Sequence, residues 1–449
     1  MWLLVLLTLL NASLPNDIII EVLRITPGGI PINILDILLI LGLVVSIAYP
    51  SNLKFPADHL HPLLWPTVGL FIAAILISSI QTYTGQYHVL VGYYMRTVRH
   101  YAAFPAALVL GYCLLPTPKA AKFFTYVMIL SGFITAILII LFFKGKGEEL
   151  SGMEIKGVNA LRTIAYVTPF ASLAVAMLIF SLISRVRLLP LGRAILIAGT
   201  CIIGIFVTLT RSEWIAAVFG ILAVFFIIPK ELRRGLIAKI VVVGVILFGF
   251  LWGSIEVTSG IMKNDFAAKM HERVQSMLPW STDSVGAKAW DTRTPGMVME
   301  LEMFSRSPLW GQGFGSQYAE LESSSSNVSM RHNAFTSIMA ETGLLGLTPM
   351  LMSFWIMGVL GRRMVLAQAD SGTVLIGALG FISAVFFFVL GMSTMSFNNE
   401  REGIVVGMIC GMVLRARAMQ LTLTRMSHAH HAEPEYFSDE EQTVGNYGY

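Results

Sequence analysis

The chain has 449 residues, of which 55% are hydrophobic and only 13% are charged. Soluble domains carry about 25% charged residues, so this chain has too little polar surface to face water, and a lipid bilayer is its expected partner. The net charge is only +4 and no basic stripe is interleaved with aromatic residues, so nucleic acid is excluded as an expected partner.

Long apolar runs recur along the chain, and about 20 mostly apolar residues suffice for a helix to cross a bilayer. They predict an all-α, polytopic integral membrane protein. The first run lacks the positive n-region and clear cleavage site of a signal peptide, so we interpret it as a retained span. About twelve spans are predicted, at residues 1–20, 31–49, 65–81, 101–116, 121–143, 163–183, 194–210, 213–228, 236–253, 334–360, 372–395 and 402–419.

The basic residues between these runs predict the orientation, because Lys and Arg accumulate in cytoplasmic loops. In a twelve-span chain they fall in alternate loops, which places both termini in the cytoplasm. The residues concerned are Lys119, Lys122, Arg185, Arg187, Arg193, Lys230, Arg233, Arg234, Lys239, Arg362, Arg363, Arg415, Arg417 and Arg425. The cysteines all lie inside apolar runs, which predicts neither a disulfide nor a zinc site.

Four regions follow from this pattern. Residues 1–253 hold helices 1–9, residues 254–333 form one large loop on the non-cytoplasmic face, and residues 334–426 hold helices 10–12. Residues 427–449 are polar and are predicted to be a disordered cytoplasmic tail. Within the large loop, helical patterns cover about 263–278 and 295–306, and a glycine-rich turn, GQGFG, follows. No strand precedes that turn, so a nucleotide-binding loop is excluded.

Arg211, in the sequence TLTRSEWIAAVFG, lies where two short spans meet at the outer membrane boundary. A charge inside the hydrocarbon costs about 3 kcal/mol on insertion scales, so such a residue usually has a partner or a task. The alternative is an interfacial arginine that extends to the membrane surface beside Glu213 and Trp214.

Two residues of the large loop are further candidates. Arg293 lies before an apolar helix and the glycine-rich turn, and its guanidinium could bind a phosphate through two parallel N–H bonds; alternatively it pairs with Asp291. His332 lies where the loop re-enters the membrane. Its imidazole could accept a proton from a hydroxyl at neutral pH, although a single interfacial histidine can equally be structural. Asn333 can cap the helix that follows.

These segments together resemble a known family. TLTRSEW, an arginine before SPLWGQGFG, and HNAFTSIMAETGLLGL are similar to the bacterial O-antigen ligase and polysaccharide polymerase superfamily. The resemblance covers about residues 205–350 and is most specific from Ser307 to Gly346. It implies a GT-C-like fold in the bacterial inner membrane, with the large loop in the periplasm.

The resemblance also implies an activity in cell-surface polysaccharide biosynthesis, namely lipopolysaccharide or exopolysaccharide formation. It implies a metal-independent glycosyltransferase without a cofactor, which moves a glycan from an undecaprenyl-diphosphate carrier to a hydroxyl. The acceptor is lipid A–core in a ligase or a second lipid-linked glycan in a polymerase, and both stay open. His332 would be catalytic and Arg211 and Arg293 would bind the diphosphate. Possible supporting residues are Arg331, Asn333, Glu341, Arg96 and Arg99.

Arg96 and Arg99 lie on the outer side, against the positive-inside trend, and could add a second anionic contact or simply belong to an amphipathic interfacial helix. The main alternative function is a transporter or flippase of lipid-linked saccharides. A transporter should carry ionisable groups at mid-span and broken helices in related halves. The polar groups here gather in one asymmetric loop, which favours the transferase, and a purely structural assembly subunit would not account for the two arginines and the histidine.

Overall fold

The computed structural model describes residues 2–13, 33–48, 61–85, 89–115, 117–145, 154–155, 158–159, 168–184, 186–208, 210–229, 284–317, 333–367, 370–393 and 400–432. Its α-helices in these ranges are α1 (Trp2–Ser13), α2 (Ile34–Ala48), α3 (Leu64–Thr84), α4 (Val91–Leu114), α5 (Pro118–Gly145), α6 (Thr168–Ile183), α7 (Leu191–Val207), α8 (Arg211–Ile227), α9 (Ser284–Arg306), α10 (Ala334–Trp355), α11 (Gly361–Leu366), α12 (Ser371–Ser393) and α13 (Glu400–Ala432). A π-helical turn (Ile356–Leu360) joins α10 to α11, and the strands β1 (Glu154–Ile155) and β2 (Val158–Asn159) form one antiparallel pair.

The helical prediction is confirmed over the described ranges, where the short β1–β2 pair is the exception. Each predicted span coincides with a described helix except the ninth, 236–253, which lies outside the described residues. Within the described part of the chain, five helical segments are long and apolar enough to cross a membrane, and they are Leu64–Thr84, Pro118–Leu141, Ala334–Leu366, Ser371–Ser393 and Arg401–Thr422. The chain is thus consistent with a polytopic membrane protein, while the number of twelve crossings stays a prediction.

Some helices extend further than hydropathy predicts. α4 begins at Val91, ten residues before the predicted span, because hydropathy detects only the apolar part of a helix. α9 likewise begins at Ser284, and the predicted helix at about 263–278 lies outside the described residues. α13 continues to Ala432, beyond the predicted start of the tail at 427. No glycine or proline interrupts the chain after Gly411 until Pro434, so the helix meets no early stop.

The contact between α4 and α13 has almost no side-chain layer. Gly403, Gly407 and Gly411 repeat at every fourth position of α13. A Cβ on Gly407 would overlap the carbonyl oxygen of Phe104, and one on Gly411 would overlap that of Leu108. Small residues at this spacing let two membrane helices approach backbone to backbone. The order of these contacts shows that α4 and α13 run parallel.

Basic residues gather at one end of the helix bundle, which we call the basic end. The Arg415 Nε donates to the Leu115 carbonyl (3.4 Å), and the Tyr126 hydroxyl donates to the Leu188 carbonyl in the α6–α7 connection (2.7 Å). The start of α12 touches the start of α5, because a Cβ on Gly372 would overlap the Pro118 carbonyl. Loops that the positive-inside pattern assigns to one face therefore do lie together. The opposite end, where α4, α8, α10 and α13 begin, is called the site end.

His61 lies just before α3, at the basic end. The imidazole Nδ1 of His61 accepts a hydrogen bond from the backbone N–H of Leu63 (3.3 Å). The backbone N–H of His61 donates to the Tyr112 hydroxyl (3.0 Å). Burial lowers the pKa of His61 from 6.5 to about 4, because a buried imidazolium loses its hydration, and the nearby positive charge of Arg417 adds to the effect. His61 is therefore neutral near pH 7.

We expect the stability of the protein to fall in acid through this histidine. The neutral imidazole is bound in the fold, so its contribution is complete above pH 6.5 and is lost as the pH falls towards about 4. Melting curves in detergent across this interval measure the effect. The His61→Gln variant should show a smaller decrease, and an identical pH dependence in both proteins would contradict the prediction.

Candidate functional site

The turn between α7 and α8 is shaped by the side chains of TLTRSEW. The Trp214 indole N–H donates to the Ile205 carbonyl (3.0 Å), and the Thr208 hydroxyl donates to the same carbonyl (2.7 Å). The Thr210 carbonyl accepts the first helical hydrogen bonds of α8, from residues 213 and 214. These contacts place Arg211 at the first position of α8, where it is half-buried.

α10 consists of two segments that meet at a sharp turn. Gly343 has φ 64° and ψ −158°, which is not helical. The rings of Phe335 and Phe354 lie only 6.3 Å apart. In a straight helix, 19 residues rise about 28 Å, so the chain must fold back between these two phenylalanines. The predicted span 334–360 is therefore a helical hairpin and not one straight helix.

The segment 307–317, which we call the glycine strap, bonds to the backbone that this turn exposes. The Gln312 N–H donates to the Ala340 carbonyl (2.8 Å), and the Gly313 N–H donates to the Glu341 carbonyl (3.0 Å). Beyond the turn, the N–H groups of residues 344 and 345 donate to the carbonyls of Pro308 (2.8 Å) and Leu309 (3.2 Å). A broken helix at membrane depth requires such replacement partners.

The strap needs its glycines for this contact. Gly311, Gly313 and Gly315 all have positive φ, between 71° and 93°, a region that side chains other than glycine rarely adopt. A Cβ on Gly313 would lie 2.5 Å from the backbone nitrogen of Thr82, at the end of α3. The predicted glycine-rich turn is thus confirmed, and its glycines serve close packing between helices.

A polar contact also anchors the strap to α3 and α4. The Thr82 hydroxyl donates to the Phe314 carbonyl (3.2 Å), and the Phe314 ring, which is fully buried, lies 5.6 Å from the ring of Tyr101. The Tyr101 hydroxyl in turn donates to the Gly346 carbonyl in the second segment of α10 (2.8 Å). Three helices, α3, α4 and α10, are thus held around one segment.

α9 is joined to the first turn of α10 by Glu300. This carboxylate is almost fully buried; it accepts a hydrogen bond from the Ser337 hydroxyl (2.7 Å) and a short one from the Thr336 hydroxyl. Hydrogen bonds to a charged group contribute about 1.5–3 kcal/mol each. The contact fixes the loop helix against the point where the chain re-enters the bundle.

The predicted site residues near the start of α10 and in α9 are described to different extents. Asn333 is the N-cap of α10, and its side-chain oxygen accepts hydrogen bonds from the N–H groups of Phe335 (2.9 Å) and residue 336 (3.2 Å). Such a cap stabilises a helix by about 1 kcal/mol. Arg293 lies in α9, with only its backbone described. His332, the covalent neighbour of Asn333, and Arg331 lie outside the described residues.

Three predicted supporting residues have structural surroundings. Glu341 is buried, and its side chain accepts a hydrogen bond from the Gly315 N–H (3.2 Å), so it supports the strap. Arg99 lies 3.6 Å from the carboxylate of Asp36 in α2, which gives it an ion pair away from the strap. Arg96 is exposed on α4.

A set of buried charges at the site end was not predicted as such from the sequence. Glu213 in α8 and Arg401 and Glu402 in α13 are each at least nine-tenths buried. Glu213 and Glu402 are close enough to interact electrostatically, and the Asn11 side chain donates to the Arg401 carbonyl (3.0 Å). Their positions at helix starts, within otherwise apolar runs, were the available signal.

Three helices carry or adjoin the predicted residues: α8, α9 and α10. The first is connected to the third through α12. Glu300 joins α9 directly to α10. α8 and α10 both pack on α12, because the Phe388 ring lies 5.3 Å from that of Phe335, and a Cβ on Gly220 of α8 would lie 3.6 Å from Phe386.

Comparison with known proteins agrees with this arrangement. Residues 196–351, about a third of the chain, match the family described as O-antigen ligase. The match begins in α7, includes the α7–α8 turn and α9, and ends in the second segment of α10. No curated protein matches the chain. Residues 196–351 therefore match an O-antigen ligase domain, and this match supports a relationship to the O-antigen ligase-related family.

Proposed function

We propose that the chain is a metal-independent, GT-C-type glycosyltransferase of the bacterial inner membrane. It moves a glycan from an undecaprenyl-diphosphate carrier to a hydroxyl at the periplasmic face, as an O-antigen ligase or a polysaccharide polymerase. The observation that carries the proposal is the O-antigen ligase domain at residues 196–351, whose range includes Arg211, Arg293 and His332. The basic end of the bundle then faces the cytoplasm, with both termini, and the site end faces the periplasm.

The position of Arg211 supports a role in binding an anion. It is the first residue of α8, where the helix dipole contributes a partial positive charge. A cation at this end is disfavoured by about 0.3–1 kcal/mol in the absence of an anion. A diphosphate bound there would meet both the guanidinium and the N-terminal end of the helix.

The contact made by Glu300 supports a shared role for Arg293 and His332. Arg293 lies two helical turns before Glu300 in α9, and His332 lies four residues before Thr336 in the chain. A contact between these two segments favours the reading in which their functional residues serve one reaction.

The chemistry proceeds in one displacement. The acceptor hydroxyl oxygen attacks C1 of the transferred sugar, the bond from C1 to the diphosphate oxygen breaks, and C1 is inverted. His332 takes the proton of the hydroxyl, and the carrier leaves as its diphosphate. Arg211 and Arg293 stabilise the negative charge that develops on this leaving group, which is the role that a metal ion has in other transferases.

Replacing either arginine by lysine should slow the transfer. Lysine keeps the charge and loses the planar pair of donors, and loss of one such contact typically costs about 10²-fold in rate. We therefore expect Arg211→Lys and Arg293→Lys each to fall by about 10²-fold in a transfer assay that uses lipid-linked glycan extracted from a strain lacking this protein.

Arg306→Lys is the matched control, since Arg306 is exposed at the far end of α9. It should transfer glycan at the wild-type rate. Wild-type rates in both Arg211→Lys and Arg293→Lys would remove the diphosphate contact from the proposal. The polysaccharides of the deletion strain decide the acceptor: loss of glycan on lipid A–core indicates a ligase, and loss of free polysaccharide indicates a polymerase.

A further inference from the structure

Glu300 is an unusual residue for the place that it occupies. Only 1% of its surface is exposed, and its two carboxylate oxygens contact two hydroxyls of the neighbouring helix, those of Thr336 and Ser337. Both hydroxyl residues are buried as well. A buried carboxylate is retained only where donors satisfy it, so this contact is directional in a way that apolar packing is not.

The carboxylate of Glu300 also lies against the first turn of α10. Thr336 and Ser337 are the third and fourth residues of α10, which begins at Ala334. The N-terminal turn of a helix carries a partial positive charge and favours an acidic group at this place. The first turn of α10 is therefore held from inside by its Asn333 cap and from outside by α9.

The chain positions of this contact relate it to the proposed chemistry. Thr336 follows His332 by four residues of the chain, and Glu300 follows Arg293 by seven residues, or about 10 Å along a helix axis. The contact thus connects the segment of the base to the segment of one diphosphate ligand, at a short distance from each.

We propose that Glu300 is a positioning residue of the transfer reaction, which acts through Thr336 and Ser337 to hold the segments of His332 and Arg293 in register. This inference rests on the proposed function. Because the reaction needs a base and a leaving-group contact in one geometry, a small displacement between the two segments slows the chemical step more than it weakens donor binding.

The test compares Glu300→Ala and Glu300→Gln with the full-length protein, purified in detergent and assayed with lipid-linked glycan from the deletion strain. Misplacement of catalytic groups by about 1 Å costs about 10²-fold in rate, and we expect a fall of that size in kcat for Glu300→Ala, with KM for the lipid-linked glycan nearly unchanged. Glu300→Gln keeps one acceptor oxygen and the shape of the side chain, so it should recover part of the rate.

Glu302→Ala is the matched control, because Glu302 is exposed on the same helix, and it should behave as the wild type. The double variant Thr336→Val, Ser337→Ala should lower kcat to a similar extent, and adding Glu300→Ala to it should cause little further loss, as expected for residues that act through one contact. Additive losses would overturn the proposal. It would also be overturned if the folded Glu300→Gln variant and the folded double variant each showed the wild-type kcat.

Two outcomes separate this inference from the proposed function. If His332→Ala is inactive while the Glu300 variants keep the wild-type kcat, the positioning role is wrong and the transferase stands. If His332→Ala keeps its activity, the proposed base is wrong, whatever the Glu300 variants do. A variant whose folded yield falls but whose rate per folded molecule is normal assigns Glu300 to stability alone and contradicts the proposal.

Discussion

Replacing His332 by alanine is expected to abolish glycan transfer without loss of the protein from the membrane. A positioned base contributes about 10²–10⁴-fold to a reaction of this kind, and no proton acceptor replaces the imidazole in the variant. His332 precedes the N-cap of α10, and the cap contacts belong to Asn333, so the helix should still begin at the same residue. The measurement is glycan transfer in the deletion strain, with the amount of membrane-inserted protein determined in parallel.

The control for this variant is His428→Ala. His428 belongs to the end of α13, far along the chain from the O-antigen ligase domain, and its replacement should leave glycan assembly intact. Asn333→Ala tests the neighbouring position, since it removes the cap and leaves the imidazole in place. Continued glycan assembly by His332→Ala at a normal protein level would refute the role of His332 as the base.

Replacing Gly343 by alanine is expected to prevent the protein from folding. The combination of φ 64° and ψ −158° is nearly restricted to glycine, and a residue held in such a region costs about 1–3 kcal/mol. The new Cβ would also lie 2.5 Å from the Leu309 carbonyl oxygen and 2.6 Å from the nitrogen of Gly311. Both neighbours are backbone atoms of the strap, so the hairpin and the strap would have to separate.

The yield of monodisperse protein in mild detergent measures this effect. Gly69→Ala is the matched control, because Gly69 lies in α3 and no atom stands within 4 Å of its Cβ position. Alanine is favoured over glycine in a helix by about 1 kcal/mol, so this control should fold at least as well as the wild type. A normal yield and melting temperature for Gly343→Ala would show that the turn is not required.

The helices could be predicted because apolar length is a local property of the sequence. Each apolar run had to become a helix, since its backbone groups find no other partners in lipid. The hairpin in α10 could not be predicted in this way. Gly343 lies in the run ETGLLGL, and glycine is common inside membrane helices. The turn at Gly343 depends on hydrogen bonds from the glycine strap, which lies about thirty residues earlier in the chain.

The candidate site was predictable to a similar, partial degree. Arg211, Arg293 and His332 stand out because each lies beside an apolar run, in a segment that resembles the O-antigen ligase superfamily. Glu300 and Glu402 are ionisable too, and neither was predicted as a site residue. Their burial depends on which face of α9 packs on α10 and on how α13 lies against α8. Such tertiary contacts are not encoded in spacing along the chain.

The backbone contact between α4 and α13 couples the position of the start of α13 to the position of its later turns. No flexible side chain separates the two backbones at Gly407 and Gly411. A small translation or rotation of α13 would therefore bring its backbone into collision with that of α4. The position of Arg401 and Glu402 at the start of α13 is therefore coupled to the position of Arg415, which contacts Leu115 further along the same helix. One added methyl group at Gly407 would displace both parts of the helix.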